Sequence, residues 1–430
     1  MIFKFEWNPL ADQPHNVAPR SERMRHHFRR WRTYFALAGS NLVHGPSAFL
    51  RYRRFRRIMY KEPVAIRPDM FAVSVSPADG REDEILDLLQ ETGVRRTLFR
   101  AASWERERLA AKEDFARRLR ARGFEIVTAL LQRREDVFRL EAWSSFLDEA
   151  FIRLGPHVSG FEIGHAWNRT KWGVWDQAEY IGLAREAVRL RSRRGVRLIG
   201  PAVIDFEFHL YPPVLRAVDF DVASSLLYVD RVGAPENEQS GWNAEMKFAA
   251  FKALAESGAG RALECWITEV NWPLEGTGRY SPASGKPNVS EEEQADYLVR
   301  YYILSLTSGL IGRVYWWQLV APGYGLVDSR ESPWRRRPSF FAFKTMIRHL
   351  AGSVFLKREQ PQGGNVFRFR KDGREFAVAW TNGVSFDLDF SPAPTRIIDR
   401  DGNDLAVSAR LRLDAHPKYI YTFAAQNPDF

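Results

Sequence analysis

The sequence of 430 residues predicts an α/β protein built on a (β/α)8 TIM barrel, with an antiparallel β domain after the barrel. Between residues 66 and 350, short apolar runs rich in β-forming residues alternate with amphipathic helical stretches. Beyond residue 351 helical periodicity stops and a period of two takes over. A doubly wound open sheet is the alternative for the alternating part, but no Gly-rich phosphate turn follows the first strand.

Eight strands are predicted in the alternating part of the chain. They cover residues 71–76, 96–101, 125–131, 160–164, 196–203, 221–227, 265–270 and 313–319. Several of the helical stretches between them, such as REDEILDLLQETG, end at a Gly, as expected where a helix C-cap needs a positive φ. Eight strands over this span fit a barrel, whose catalytic residues lie at the C-terminal ends of the strands.

The chain after residue 351 reads as β hairpins. In GNVFRFRKDGREFAVAWTNGVSFDLDF, apolar and polar residues alternate on both sides of D-G and N-G turns. The predicted organisation is therefore a basic, aromatic N-terminal extension at 1–65, a barrel at 66–350 and a C-terminal β domain at 351–430.

The positive charge of the chain is concentrated in the extension. The formal net charge is +10, and residues 20–61 alone carry 12 Lys or Arg against one acidic residue, Glu22. Arg clusters alternate there with Trp31, Tyr34, Phe35 and other apolar residues. This pattern is typical of an interfacial helix on an anionic membrane or glycolipid surface. The alternative is an extension that packs on the fold, and nucleic acid is disfavoured because no motif supports it.

Composition excludes several other classes of protein. The single cysteine, Cys265, excludes an intramolecular disulfide and a cysteine-based zinc cluster. No run of about 18 apolar residues is present, and residues 1–19 lack the apolar segment of a signal peptide. A cytoplasmic protein is expected, attached peripherally to the inner membrane if the extension binds lipid, with no cofactor and no metal.

Carboxylates near the predicted strand ends are the first candidates for chemistry. They are Glu105, Glu162, Asp205, Glu207 and Glu269. Glu269 is the strongest because it ends the run Trp266-Ile267-Thr268, a buried-strand pattern that does not tolerate an ionised Glu without partners. A structural ion pair under the barrel rim is the alternative.

Two further residues are expected to point into the same barrel mouth. Arg100 ends the second strand and Tyr228 follows the sixth. A cation and a phenol beside Glu269 would favour its ionised form through charge and hydrogen bonding.

Several motifs resemble the retaining glycoside hydrolases of clan A, above all family 39 and its β-xylosidase-like relatives. They are FEIGHAWN, IGPA, WITEVNWP, VSEEEQADYLVRYY and VYWWQLVAPGYGLVDSRESPWRRRPSFFAFKTM, in this order. The resemblance covers about residues 66–350 and extends to a β domain after the barrel. It implies a nucleophile at Glu269, support from Arg100 and Tyr228, and an aromatic floor from Trp316 and Trp317, with Glu162, Asn168 and Asn271 as further substrate-binding residues.

The sequence departs from the family pattern at the fourth strand. Family members read roughly G-N-E-P-N there, whereas this chain has Gly164-His165-Ala166-Trp167-Asn168, so that Ala166 replaces the general acid/base Glu. Retaining hydrolysis uses two carboxyl groups about 5 to 5.5 Å apart. His165 is a candidate replacement acid because the usual pKa of His is about 6.5, and Glu105 and Glu207 are others, while Glu162 is expected to lie too deep. His165 is otherwise a binding residue.

Three functions remain open at this point. The first is a glycosidase or transglycosidase that uses Glu269 with a replacement acid. The second is a transferase whose donor leaves as phosphate and needs no protonation, and the third is a catalytically inactive glycan-binding barrel. In each case the expected substrate or ligand is a surface polysaccharide, lipopolysaccharide or glycolipid of bacterial type.

Overall fold

A computed structural model describes residues 5–15, 18–78, 80–229, 232–282 and 288–422. The N-terminal part contains a two-stranded hairpin, two helices and one further strand. These elements are β1 (Trp7–Asn8), β2 (Gln13–Pro14), α1 (Arg20–Arg29), α2 (Trp31–Ile58) and β3 (Val64–Ile66).

The next eight strands form a closed parallel barrel. They are β4 (Phe71–Ser74), β5 (Arg96–Ala102), β6 (Glu125–Leu131), β7 (Gly160–Ile163), β8 (Leu198–Ile204), β9 (Val222–Leu226), β10 (Glu264–Val270) and β11 (Arg313–Trp316). Each strand pairs with its neighbours in chain order, and β11 closes the ring on β4 with Tyr315 opposite Ala72. The predicted (β/α)8 barrel is confirmed, and all eight predicted strands occur where the apolar runs placed them.

Helices surround the barrel. They are α3 (Glu82–Thr92), α4 (Leu109–Ala121), α5 (Arg134–Phe138), α6 (Leu140–Leu154), α7 (Gln177–Arg194), α8 (Tyr211–Ala217), α9 (Ala244–Ala259), α10 (Glu291–Leu306) and α11 (Pro338–Leu350). The Asp176 side chain caps α7, and Ser290 with Glu293 forms a capping box at α10.

Large side chains close the N-terminal end of the barrel interior. Trp266 and Tyr315 are fully buried there, and the Arg313 guanidinium lies 4.2 Å from the Trp266 ring centroid. Arg313 also donates to Glu125 at 2.7 Å, so this cation is neutralised at the barrel floor. A ligand can therefore enter only from the opposite end, where the strands terminate.

The C-terminal part is antiparallel, as predicted. After a short ladder of β12 (Val327–Asp328) and β13 (Arg335–Arg336), its strands are β14 (Ser353–Glu359), β15 (Gly364–Lys371), β16 (Arg374–Thr381), β17 (Phe386–Asp389), β18 (Arg396–Ile398), β19 (Asp404–Leu405), β20 (Arg410–Leu413) and β21 (Lys418–Tyr421). The main sheet has the order β19-β18-β21-β16-β15-β14-β3. Asp372 and Gly373 form the predicted D-G turn with φ of 51° and 75°. Strand β3, which precedes the barrel, thus belongs to the sheet that follows it.

The basic extension packs on the barrel through one side of α2. Asn41 donates to the His209 carbonyl oxygen at 2.9 Å, and the Ser257 hydroxyl donates to the His44 carbonyl oxygen at 3.0 Å. Arg51 donates to Glu256 at 2.8 Å. Among the described residues, no helix combines the length and the apolar character needed to cross a bilayer.

Candidate active site

A pocket of about 160 Å³ lies at the C-terminal end of the barrel. The C-terminal ends of barrel strands, the loops after them and the N-terminal hairpin supply its charged and polar groups. Its lining includes Asp12, Gln13, Arg100, His165, Arg169, Lys171, Trp172, Tyr228, Glu269, Asn271, Trp317 and Tyr324. Six of the residues singled out in the sequence thus meet in one cavity.

Glu269 lies at the end of β10 and has both carboxylate oxygens engaged. Its Oε1 accepts a hydrogen bond from the Tyr228 hydroxyl at 2.5 Å, and its Oε2 accepts one from Arg100 Nη2 at 2.6 Å. Only 7% of the Glu269 side chain is exposed. The carboxylate is therefore fixed in one orientation at the mouth of the barrel.

Arg100, at the C-terminal end of β5, is the centre of the site. Its Nη2 also lies 2.8 Å from His165 Nε2, and its Nη1 donates to the Asp12 carboxylate at 2.9 Å and to the Asp12 carbonyl oxygen at 3.1 Å. The guanidinium stacks on Trp317 with 3.6 Å to the ring centroid. One cation thus joins Glu269, His165 and Asp12, and it covers the indole face that a sugar ring would need for stacking.

His165 is buried, and burial together with the charges of Arg100 and Lys171 holds its pKa well below the usual value. A neutral imidazole accepts a hydrogen bond from Arg100 through Nε2, which matches the 2.8 Å contact. These surroundings disfavour the protonated, cationic form of His165.

Gln132 sets the position of His165. Its side-chain Oε1 accepts from the His165 backbone N–H at 2.9 Å, and its Nε2 donates to the His165 carbonyl oxygen at 3.1 Å. Gly164, just before, has φ of +76°, and a Cβ there would lie 2.8 Å from the Tyr180 ring. Gln132 was not predicted from the sequence, although a glutamine directly after the apolar strand β6 is a detectable signal.

The position that the family pattern assigns to the general acid is closed. Ala166 is fully buried, has φ of +42°, and does not line the pocket. Its backbone N–H donates to the Ala202 carbonyl oxygen at 3.1 Å. The loop after β7 therefore brings His165, and no carboxyl group, to the cavity.

The other carboxylates of the sequence analysis lie apart from the pocket lining. Glu162 is buried inside the barrel, where the Thr268 hydroxyl donates to it at 2.6 Å and burial raises its pKa to about 7. Glu105 accepts from Lys112 at 3.1 Å. Asp205 and Glu207 both pair with Arg169. Glu105, Asp205 and Glu207 are thus each paired with a cation, and none of the three lines the cavity.

The predicted binding residues divide into two groups. Asn271 and Trp317 line the pocket, and the Asn271 amide donates to the Trp317 carbonyl oxygen. Asn168 instead joins two loops, donating to the Ile204 carbonyl oxygen at 3.0 Å and accepting from the Ile204 N–H at 2.9 Å. Trp316 packs in the core outside the barrel, stacked on Trp272. The predicted aromatic floor consequently contains Trp317 without Trp316.

The hairpin β1–β2 over the pocket was not predicted as part of the site. Gln13 accepts from Lys171 at 2.5 Å and donates to the Pro282 carbonyl oxygen at 3.1 Å. Trp7 packs against Trp104 and Trp172, with ring centroids 5.3 and 5.8 Å apart. These contacts place Asp12, at the turn of the hairpin, against Arg100.

Solved structures of other proteins have a fold similar to that of this chain. A family 39 glycoside hydrolase from the gut symbiont Bacteroides cellulosilyticus WH2 aligns with a TM-score of 0.68 at 19% identity, over 83% of this chain and 81% of that one. The chain shares the fold of this glycoside hydrolase. This confirms the resemblance seen in the motifs.

Two further solved structures share the clan A fold. A family 30 endoxylanase from Clostridium papyrosolvens C71 has a TM-score of 0.57 at 12% identity, over 85% of this chain and all of that one. A family 51 arabinofuranosidase from Xanthomonas axonopodis pv. citri has a TM-score of 0.57 at 10% identity, over 84% and 97% of the two chains. No protein-family model and no curated protein sequence matches the chain.

Proposed function

We propose that this protein is a retaining glycoside hydrolase in which Glu269 is the nucleophile. The observation that carries the proposal is the carboxylate of Glu269 at a barrel strand end, oriented by hydrogen bonds from Tyr228 and Arg100. A carboxylate held in this way can attack the anomeric carbon and form a glycosyl ester. The clan A fold supports the same chemistry.

The shape of the cavity limits the substrate. About 160 Å³ is small for a ligand site, and Ala11, Asp12 and Gln13 of the hairpin segment are part of its lining. The enzyme would therefore act on a single terminal sugar unit of a surface polysaccharide or glycolipid. The basic extension supports an anionic glycan or lipid context for that substrate.

A glycan-binding barrel without turnover is the second candidate. The observation that favours it is the combination of Ala166, fully buried where the family has its acid, with a neutral His165. Such a protein would bind the same terminal sugar and would leave the glycosidic bond intact.

Covalent trapping separates the two candidates. A panel of 2-fluoro glycosides with good leaving groups should form an ester with Glu269, because the fluorine slows both steps and the good leaving group restores the rate of the first step only. Intact-mass and peptide mass spectrometry would locate the adduct, and the Glu105→Gln variant, changed at a carboxylate outside the pocket, should label like the natural protein. Binding of the sugar with no adduct from any member of the panel would favour the inactive barrel.

A further inference from the structure

Asp12 is the second carboxylate of the pocket. Its Oδ2 lies 2.9 Å from Arg100 Nη1, while Glu269 Oε2 lies 2.6 Å from Nη2 of the same guanidinium. The two carboxylates thus bind adjacent nitrogens of one guanidinium, and the retaining mechanism uses two neighbouring carboxyl groups. Asp12 and Glu269 are the acidic residues among the described residues that line the cavity.

Asp12 is suited to proton transfer. Burial raises its pKa to about 6, with Arg100 opposing the shift and the charge of Glu269 adding to it. A group that titrates near the working pH is an effective general acid and base. A quarter of the Asp12 side chain remains exposed, against 7% for Glu269, so that water can reach it.

We propose that Asp12, which the N-terminal hairpin places in the pocket, is the general acid/base of this protein. The side chain of Ala166, at the position where the family has its acid, has no group that can take this role. This inference rests on the proposed function. In the first step the Asp12 carboxyl group gives its proton to the glycosidic oxygen while Glu269 attacks the anomeric carbon, and the aglycone leaves as an alcohol. In the second step Asp12 takes a proton from water as that water attacks the anomeric carbon. The ester bond to Glu269 breaks, so that Glu269 is released as a carboxylate and Asp12 is protonated again.

The Asp12→Asn variant tests this role. Hydrolysis of glycosides with poor leaving groups should fall about 10²- to 10⁴-fold, the usual contribution of general acid/base catalysis. First-step rates on aryl glycosides with acidic leaving groups should fall much less. The natural protein should lose activity as the pH rises through about 6, where Asp12 gives up its proton, and the variant should lack this limb. Added azide should restore turnover of the activated substrates as glycosyl azide.

The Glu105→Gln variant is the matched control. It removes a carboxylate that pairs with Lys112 outside the pocket lining but keeps Asp12, so that the loss of activity near pH 6 should persist. An Asp12→Asn variant with an unchanged pH profile and unchanged leaving-group dependence would overturn the role of Asp12. If Asp12 had no such role but Glu269 still formed the 2-fluoro adduct, the proposed hydrolase function would stand. If the natural protein formed no adduct, both the hydrolase function and the role of Asp12 would be excluded.

One side of helix α2 carries exposed apolar side chains. At 3.6 residues per turn, Trp31, Phe35, Leu42 and Phe49 of α2 fall within about 40° of one another around the helix. They are 52%, 71%, 78% and 58% exposed, and Val43 and Leu50 beside them are also exposed. We call these six residues the outward face, since the opposite side of α2 buries Ala48 and Phe55 against the barrel.

Exposed cations lie on the same helix as the outward face. They are Arg32, Arg53, Arg54 and Arg57. None of them contacts a carboxylate within the described part of the chain, whereas Arg51 and Arg56, on the barrel side, pair with Glu256 and Glu245. A second copy of this surface would bring the same positive charge against it, which disfavours self-association.

We infer that the outward face docks on an anionic bilayer. Apolar side chains would enter the headgroup region while the arginines contact lipid phosphates, the arrangement of interfacial helices. Because α2 packs on the barrel through its other side, the helix would lie on the membrane without leaving the fold.

Vesicle sedimentation tests the docking. The full chain should sediment with vesicles of phosphatidylcholine and phosphatidylglycerol but not with phosphatidylcholine alone, and salt should release it. Replacing Phe35, Leu42 and Phe49 by Ser, or Arg32, Arg53, Arg54 and Arg57 by Gln, should weaken binding about 10²-fold or more. Replacing the exposed Val384 and Val407 of the β domain by Ser is the matched control and should change nothing. Equal binding to neutral vesicles, or a dimer in solution that the same outward-face variants dissociate, would overturn the inference.

Discussion

The Glu269→Gln variant should lose activity by about 10⁴-fold or more, the scale seen when the nucleophile of a hydrolase is removed. It should also fail to form any adduct with 2-fluoro glycosides, because an amide oxygen does not displace the leaving group. Rates on the best substrate of the natural protein, together with intact-mass spectrometry, measure both effects.

The same substitution should change the free energy of unfolding little, by less than about 1 kcal/mol. Gln keeps an oxygen that can accept from Tyr228, and Arg100 keeps the Asp12 carboxylate as a partner. Denaturant unfolding of the two proteins gives the comparison. A folded variant with full activity would exclude Glu269 as the nucleophile, and a collapse of stability would identify a structural ion pair in its place.

Replacing Arg100 should lower the free energy of unfolding more than replacing Glu269. In the Arg100→Gln variant, the carboxylates of Asp12 and Glu269 lose the cation that joins them. Removing one partner of a buried ion pair typically costs about 3 to 5 kcal/mol because the remaining charge is uncompensated. Denaturant unfolding near pH 7 should show a loss of this size, and Trp317 would lose its stacked guanidinium as well.

A double variant separates charge from packing in this prediction. If the loss comes from uncompensated charge, Arg100→Gln combined with Glu269→Gln should recover much of the stability, since one of the two carboxylates is then neutral. The loss in Arg100→Gln should also shrink as the pH falls, because protonation removes the repulsion. Equal losses at pH 5 and pH 8, with no recovery in the double variant, would assign the effect to packing on Trp317.

Much of the fold and part of the site could be predicted from the sequence. Alternating apolar runs fixed the eight strands, since each buried strand of a parallel barrel is apolar on both faces. Once the barrel was predicted, Arg100, Tyr228 and Glu269 were expected at one mouth, because all three lie at or just after the ends of parallel strands. Closure of the ring, with β11 on β4, brings these ends to one mouth.

Alternation of side chains along strand β11 explains why Trp316 does not reach the pocket. Successive side chains of a strand point to opposite faces. Tyr315 fills the barrel interior, so Trp316 faces the surrounding helices and the next residue, Trp317, returns to the pocket. This geometry was available from the sequence, and it excludes Trp316 and Trp317 as two parts of one floor.

Asp12 could not be predicted in the same way. It precedes the barrel by nearly sixty residues, in a segment with no periodicity, and its place depends on tertiary contacts. Trp7 reaches Trp104 and Trp172, and Gln13 reaches Lys171, all on loops of the barrel mouth. Local sequence patterns do not predict contacts between segments that are far apart in the chain.

Strand β3 can pair with its partner only late in the synthesis of the chain. It lies at one edge of the C-terminal sheet, paired with β14, where Val64 faces Phe355 and Ile66 faces Ser353. On the ribosome, residues 64–66 emerge long before their partner, and the barrel can close on its first strand while this short segment is still an unpaired edge. A chain that stops near residue 350 would keep that edge open, so the barrel should be a poor choice for expression as an isolated fragment.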